Sequence, residues 1–143
     1  RSKTMKLALL ISVLIASCLA GVEVHVKVSG TLTCSGRFDY AVKLYEEDFL
    51  LDDHISTNTG YYRTGTQYYN VSGNASDPEW GNFHVEPTIF FYHSCGMKHG
   101  CLCKQWTNIN KDMDVTLNVN LNSNELECDA CNNRDSQGAL YGR

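Results

Sequence analysis

The chain has 143 residues, of which 43% are hydrophobic and 20% charged, with seven cysteines and a formal net charge of −4 at pH 7. An acidic balance excludes the basic footprint that a nucleic-acid partner requires, and it gives no general attraction to anionic membranes. The length is one domain's worth, enough to bury a core.

In chain order, the first feature is RSKTMKLALLISVLIASCLAG. Met5 reads as the start and Lys6 as a basic n-region. Leu7 to Ile15 is an apolar stretch of signal-peptide length, too short to span a bilayer. Small residues at Cys18 and Ala20 put cleavage after Ala20 or Gly21, which makes residues 5–20 a removable leader and the product secreted, with no transmembrane anchor. Two rivals exist. Ile15-Ala16-Ser17-Cys18 is like a lipoprotein box that would leave Cys18 lipidated, and a core helix would need a wet face that the run lacks. Cleavage takes away Cys18 and three cations, so six cysteines remain and the net charge of −4 becomes −7.

Period-two alternation follows. In VEVHVKVSGTLTC, Val22, Val24, Val26, Val28, Leu32 and Cys34 share one face, while Glu23, His25, Lys27 and Ser29 share the other. Ser35-Gly36 supplies a turn, after which Phe38, Tyr40, Val42 and Leu44 repeat the pattern. EEDFLLDDH is an acidic turn or a very short helix. YYRTGTQYYNVSG suits two short strands around Gly65, TIFFYH is the most apolar run, and DVTLNVNLN alternates again, with Val115, Leu117, Val119 and Leu121 inward. No helical period is sustained beyond the leader. Several short strands between turn signals predict an all-β antiparallel sandwich over residues 21–131, with residues 132–143 a polar tail lacking fixed structure.

Chemistry concentrates in PTIFFYHSCGMKHGCLCK, where His93, Cys95, His99, Cys101 and Cys103 have spacings that also occur in zinc sites. Six cysteines in a secreted chain favour a disulfide framework instead, built from Cys34, Cys95, Cys101, Cys103, Cys128 and Cys131, so no metal or other cofactor is expected. His93 has the parity of Ile89 and Phe91 and reads as a buried, hydrogen-bonded residue beside a bridge. NVSGNAS holds two N-glycosylation triplets, at Asn70 and at Asn74, on a strand end and its turn, with Asn74 in the turn the better acceptor. Tyr61, Tyr62, Tyr68, Tyr69, Trp80 and Phe83 in the middle of the chain either line the core alternately or form an interface.

VSGTLTC, VKLYEED followed by DDHI, YYNVSG, and VEPTIFFYHSC with Cys103-Lys104 downstream resemble the transthyretin-like family, small secreted proteins abundant in nematodes. Cys101 and Cys131 look like additions to its pattern. The resemblance implies a transthyretin-type, immunoglobulin-like β-sandwich and an extracellular role. It also implies a local Cys95–Cys103 bridge, beside which Cys34–Cys128 and Cys101–Cys131 are one choice among the fifteen connectivities open to six cysteines.

The expected function is that of a non-enzymatic extracellular binding protein. Its partner would be a small apolar ligand, a lipid, or a cell-surface or host protein. The alternative is a hydrolase, because a relative with the transthyretin fold cleaves 5-hydroxyisourate using histidines, an arginine and a C-terminal Tyr-Arg-Gly-Ser. This chain ends Tyr141-Gly142-Arg143, with the order scrambled and the serine missing. No nucleophile elbow or zinc-protease helix is present, and Asp52-Asp53 beside His54 reads as a solvated acidic turn.

Overall fold

A computed structural model of the protein describes residues 21–47, 52–77, 84–97, 100–123, 125–126, 131 and 136–141. Its strands are β1 (Val22–Glu46), β2 (Asp53–Asp77), β3 (Pro87–His93), β4 (Gly100–Gln105), β5 (Met113–Thr116) and β6 (Val119–Asn120), with a short helix α1 at Ser136–Tyr141. Together they form an antiparallel β-sandwich whose two layers share their longest strands.

The shared strands follow from the alternation in the sequence. Val24, Val26, Val28, Leu32, Cys34, Phe38, Tyr40, Val42 and Leu44 are all buried, and all belong to one core cluster. Ser35-Gly36 does not turn the chain. β1 continues through it, because β2 runs antiparallel beside both halves and the register merely shifts between Cys34 and Arg37. The unpaired residues make a bulge that bends the ribbon and leaves the even positions facing one interior. For the same reason YYRTGTQYYNVSG is one stretch of β2 and not two strands, with Gly65 (φ 69°) providing the left-handed residue at the bend.

Each half of the ribbon recruits its own neighbours. Val26–Ser29 pair in parallel with β5, and Leu32–Thr33 pair with β6. Tyr40–Glu46 pair antiparallel with β3, which in turn pairs with β4. Gly30 is required where β1 passes between β5 and β6, because a Cβ there would collide with the Leu117 carbonyl. Across the interior, Tyr69 of β2 meets Phe91 of β3 edge to face at 5.4 Å between centroids.

Every residue of β3 is buried. Its inner side chains, Ile89 and Phe91, join the main core. Phe90 and Tyr92 join Ala41, Cys103 and Leu140 in a second cluster on the other face. Leu140, 1% exposed, comes from α1, so residues 136–141 of the expected unstructured tail form a helix docked on the outside of the sandwich.

The disulfides keep one expected pair and overturn the other two. Cys101 is bonded to Cys131, as expected, whereas Cys34 is bonded to Cys95 and so not to Cys128. Cys95–Cys103 does not form. Cys95, in the 3-10 turn Cys95–Met97 after β3, faces the main core beside Cys34, whereas Cys103 faces the outer cluster on the opposite side of the sheet. Cys103 is a disulfide cysteine as well. Cys128 lies outside them too, as do Cys18 and the leader through Ala20, and Gly21 directly precedes β1.

Candidate functional site

A second irregularity of the ribbon creates the most distinctive surface. Phe38 pairs with Arg63 and Tyr40 with Gly60, so the single residue Asp39 of β1 faces two residues of β2, Tyr61 and Tyr62. An extra residue of this kind twists a strand and re-aims its side chains. Tyr62 takes a left-handed backbone (φ 55°), a conformation that costs a residue with a side chain on the order of 1–3 kcal/mol. The resulting exposures are 46% for Tyr61 and 78% for Tyr62.

Asp39 organises this bulge. Its N–H donates to Ser94 Oγ (2.9 Å) and its carbonyl accepts from the Ser94 N–H (3.1 Å), which ties β1 to the end of β3. One carboxylate oxygen accepts from the Tyr62 N–H (2.7 Å), and the other from the hydroxyl of Tyr141 in α1 (2.9 Å). The hydrogen bond to Asp39 is the main cause holding the Tyr141 phenol above its ordinary pKa, with the charge of Asp39 and the nearby Tyr62 and Tyr61 pushing the same way. Tyr141 is itself 41% exposed, so three partly exposed tyrosines surround one carboxylate that is already hydrogen-bonded. That arrangement offers aromatic area with polar tips around a carboxylate that anchors both β2 and α1.

The remaining aromatics divide. Tyr68 is 83% exposed on the outer face of β2, whereas Tyr69 is 3% exposed in the core, where its hydroxyl donates to the Leu117 carbonyl (2.7 Å) and burial raises its pKa. Trp80 and Phe83 lie outside the described residues. Asn70 and Asn74 are exposed, but both sit inside β2, paired with Ser29 and His25, so Asn74 is not in a turn.

The residues with metal-ligand spacing are engaged otherwise. His93 is 7% exposed and its Nδ1 accepts from the Cys95 N–H (3.2 Å). Cys95, Cys101 and Cys103 are disulfide sulfurs, which lack the thiolate charge that binds zinc. His99 lies outside the described residues. Of the other histidines, His25 is hydrogen-bonded to Asn74 near one end of β2 and His54 to Thr57 near the other.

A cavity of about 250 Å³ opens between β4 and the β5–β6 edge. Leu102, Val119 and Leu126 form its floor, with Asn118, Asn120 and Glu125 at the rim. The Asn118 amide oxygen accepts from the backbone and hydroxyl of Thr31, and that of Asn120 accepts from Asn122, so these rim oxygens are turned to the protein.

Sequence reasoning singled out Tyr61 and Tyr62 but missed Asp39 and Tyr141, whose contact spans 102 positions of chain. Among the described residues, no helix is long and apolar enough to cross a membrane. Comparison with protein families finds that the model of the transthyretin-like family matches residues 29–111. Neither the curated proteins nor the solved structures provide a match.

Proposed function

The chain belongs to the transthyretin-like family, and on that premise we propose that it is a secreted, non-enzymatic binding protein whose partner is a protein of the cell surface or extracellular medium. The observation that carries this reading is the bulge at Asp39, which holds Tyr62 in a costly conformation and leaves it 78% exposed. Strained backbone of this kind clusters at functional sites, including ligand clamps. Tyrosine is also among the residues that dominate interface energetics.

Two further points support the choice of partner and compartment. The cavity between β4 and β6, about 250 Å³, is below the roughly 300–1,000 Å³ usual for small-molecule pockets, so that place is too small to enclose an apolar ligand or lipid. Paired cysteines suit an oxidising location, as does the apolar leader.

The test is binding of labelled protein to cells, comparing wild type with Tyr61→Ser/Tyr62→Gly. Glycine tolerates the left-handed backbone, so the variant keeps its fold while at least tenfold of affinity is expected to disappear. Tyr68→Ser, away from the bulge, is expected to bind as wild type. Unchanged binding by the double variant overturns the assignment of the surface. Decay of 5-hydroxyisourate is expected to proceed at its uncatalysed rate in the presence of the protein, and acceleration overturns the non-enzymatic reading.

A further inference from the structure

Asn70 and Tyr68 stand two residues apart on one strand, so their side chains leave the same face about 6.7 Å apart. The face is the outer one. Val71 and Tyr69, of opposite parity, are 1% and 3% exposed, whereas Tyr68 is 83% exposed and Asn70 is exposed beside it. Opposite them on β1 lie the small polar residues Thr31 and Ser29. β2 is an edge strand that pairs with no strand but β1 among the described residues, so the space beside Asn70 is open.

Asn70-Val71-Ser72 is an N-glycosylation triplet. We propose that Asn70 carries an N-linked glycan whose first N-acetylglucosamine lies flat on the ring of Tyr68. A β-linked N-acetylglucosamine presents the axial C–H bonds of C1, C3 and C5 on one face. The face of an aromatic ring carries partial negative charge that attracts such polarised C–H groups, and the stacking covers apolar area on both partners. The sugar is joined through Nδ2 of Asn70. Two residues of strand separation put the neighbouring phenol within reach of a pyranose ring tilted along the strand.

Asn74, the second triplet, lacks both features. Two residues before it stands Ser72, which offers no ring. Its side-chain amide is also engaged, with Nδ2 donating to Glu23 Oε1 (2.8 Å) and Oδ1 contacting His25 Nδ1 (2.9 Å). Asn70, by contrast, makes no side-chain hydrogen bond to another described residue, so among these residues a glycan there breaks none.

This inference rests on the extracellular reading, and the experiment separates the two. The full chain, with its own leader, is expressed in animal cells and recovered from the medium. Glycopeptide mass mapping is expected to find Asn70 occupied, and more fully than Asn74. Thermal unfolding is then compared for wild type, Ser72→Ala, Tyr68→Ser and the double variant, since Ser72→Ala removes the triplet but keeps the asparagine. Loss of the glycan is expected to lower Tm by about 3 °C when Tyr68 is present and by less than about 1 °C when it is absent. Equal drops in both backgrounds overturn the stacking. A protein recovered from the medium with Asn70 bare overturns the site alone, and a chain retained in the cell without glycan overturns the extracellular reading with it. If the Ser72→Ala protein binds N-acetylglucosamine oligomers in a Tyr68-dependent way, the ring serves a sugar from outside and the assignment is wrong.

Discussion

Acidification is expected to destabilise the sandwich through one residue, His93. It ends β3, is 7% exposed, and receives the Cys95 N–H on Nδ1, so the ring is neutral with its proton on Nε2. Gly100 packs against it so closely that a Cβ would lie 2.6 Å from ring atoms. Burial away from water pushes its pKa from 6.5 down to about 4. Because the folded state resists protonation, the stabilisation is complete above pH 6.5, declines as pH falls through the window from 6.5 to 4, and is gone below. Between pH 7.5 and 4.5 the loss attributable to this ring is on the order of 2–3 kcal/mol. Urea unfolding at the two pH values measures it, with His93→Asn as the comparison, since the asparagine oxygen can accept from Cys95 but does not titrate. The variant is expected to lose on the order of 2–3 kcal/mol less than wild type on acidification. Identical losses in the two proteins would show that the ring is protonated as easily inside the fold as outside, and the argument from burial would fall.

Non-reducing peptide maps of the folded, oxidised protein are expected to yield Cys34–Cys95 and Cys101–Cys131 peptides, and a Cys95–Cys103 peptide would contradict the opposed faces of that sheet. Replacing Cys34 and Cys95 together by alanine opens a link between residues 61 apart and is expected to cost about 4 kcal/mol in urea unfolding, on the chain-entropy account. Gly30→Ala should cost about 1–3 kcal/mol through its clash with the Leu117 carbonyl. Gly36→Ala, with nothing within 4 Å, should change stability little, and equal effects would remove the close-approach argument. Leu140→Ala is expected to cost about 2–3 kcal/mol and to speed amide exchange in Ser136–Tyr141, so unchanged exchange would mean that the helix does not depend on its anchor.

Alternation made the interior readable before any coordinates, because a half-buried strand writes its inner face at every second residue, as Val24 to Leu44 do. The junctions were not readable. Ser35-Gly36 serves equally as a turn or as a bulge, and only the partner strand on the far side of the ribbon decides between them. The docked helix did leave a signal: TIFFY is apolar at consecutive positions, which a strand with one wet face avoids, so something had to cover Phe90 and Tyr92. What covers them could not be named from a polar tail. Tyr61 and Tyr62 were visible as interface-type residues, but their ring exposure depends on a one-residue mismatch with Asp39 that no local pattern encodes.

The parallel pairing of β1 with β5 and β6 has a consequence for the order in which the molecule assembles. Every register pair of that pairing joins positions 87 apart, as in Lys27 with Asp114 and Leu32 with Val119, whereas Glu46 and Asp53 begin the β1–β2 ribbon only seven apart. Closing the long loop is entropically dearer, so the hairpin zips first and its free margin along Val26–Thr33 stays bare until the last quarter of the chain arrives. During synthesis that margin is an unsatisfied row of amides and carbonyls beside a valine-rich face, open to a neighbouring nascent chain. A Cys34–Cys95 bond, possible once residue 95 has been made, would link the ribbon to the turn after β3 while that margin waits.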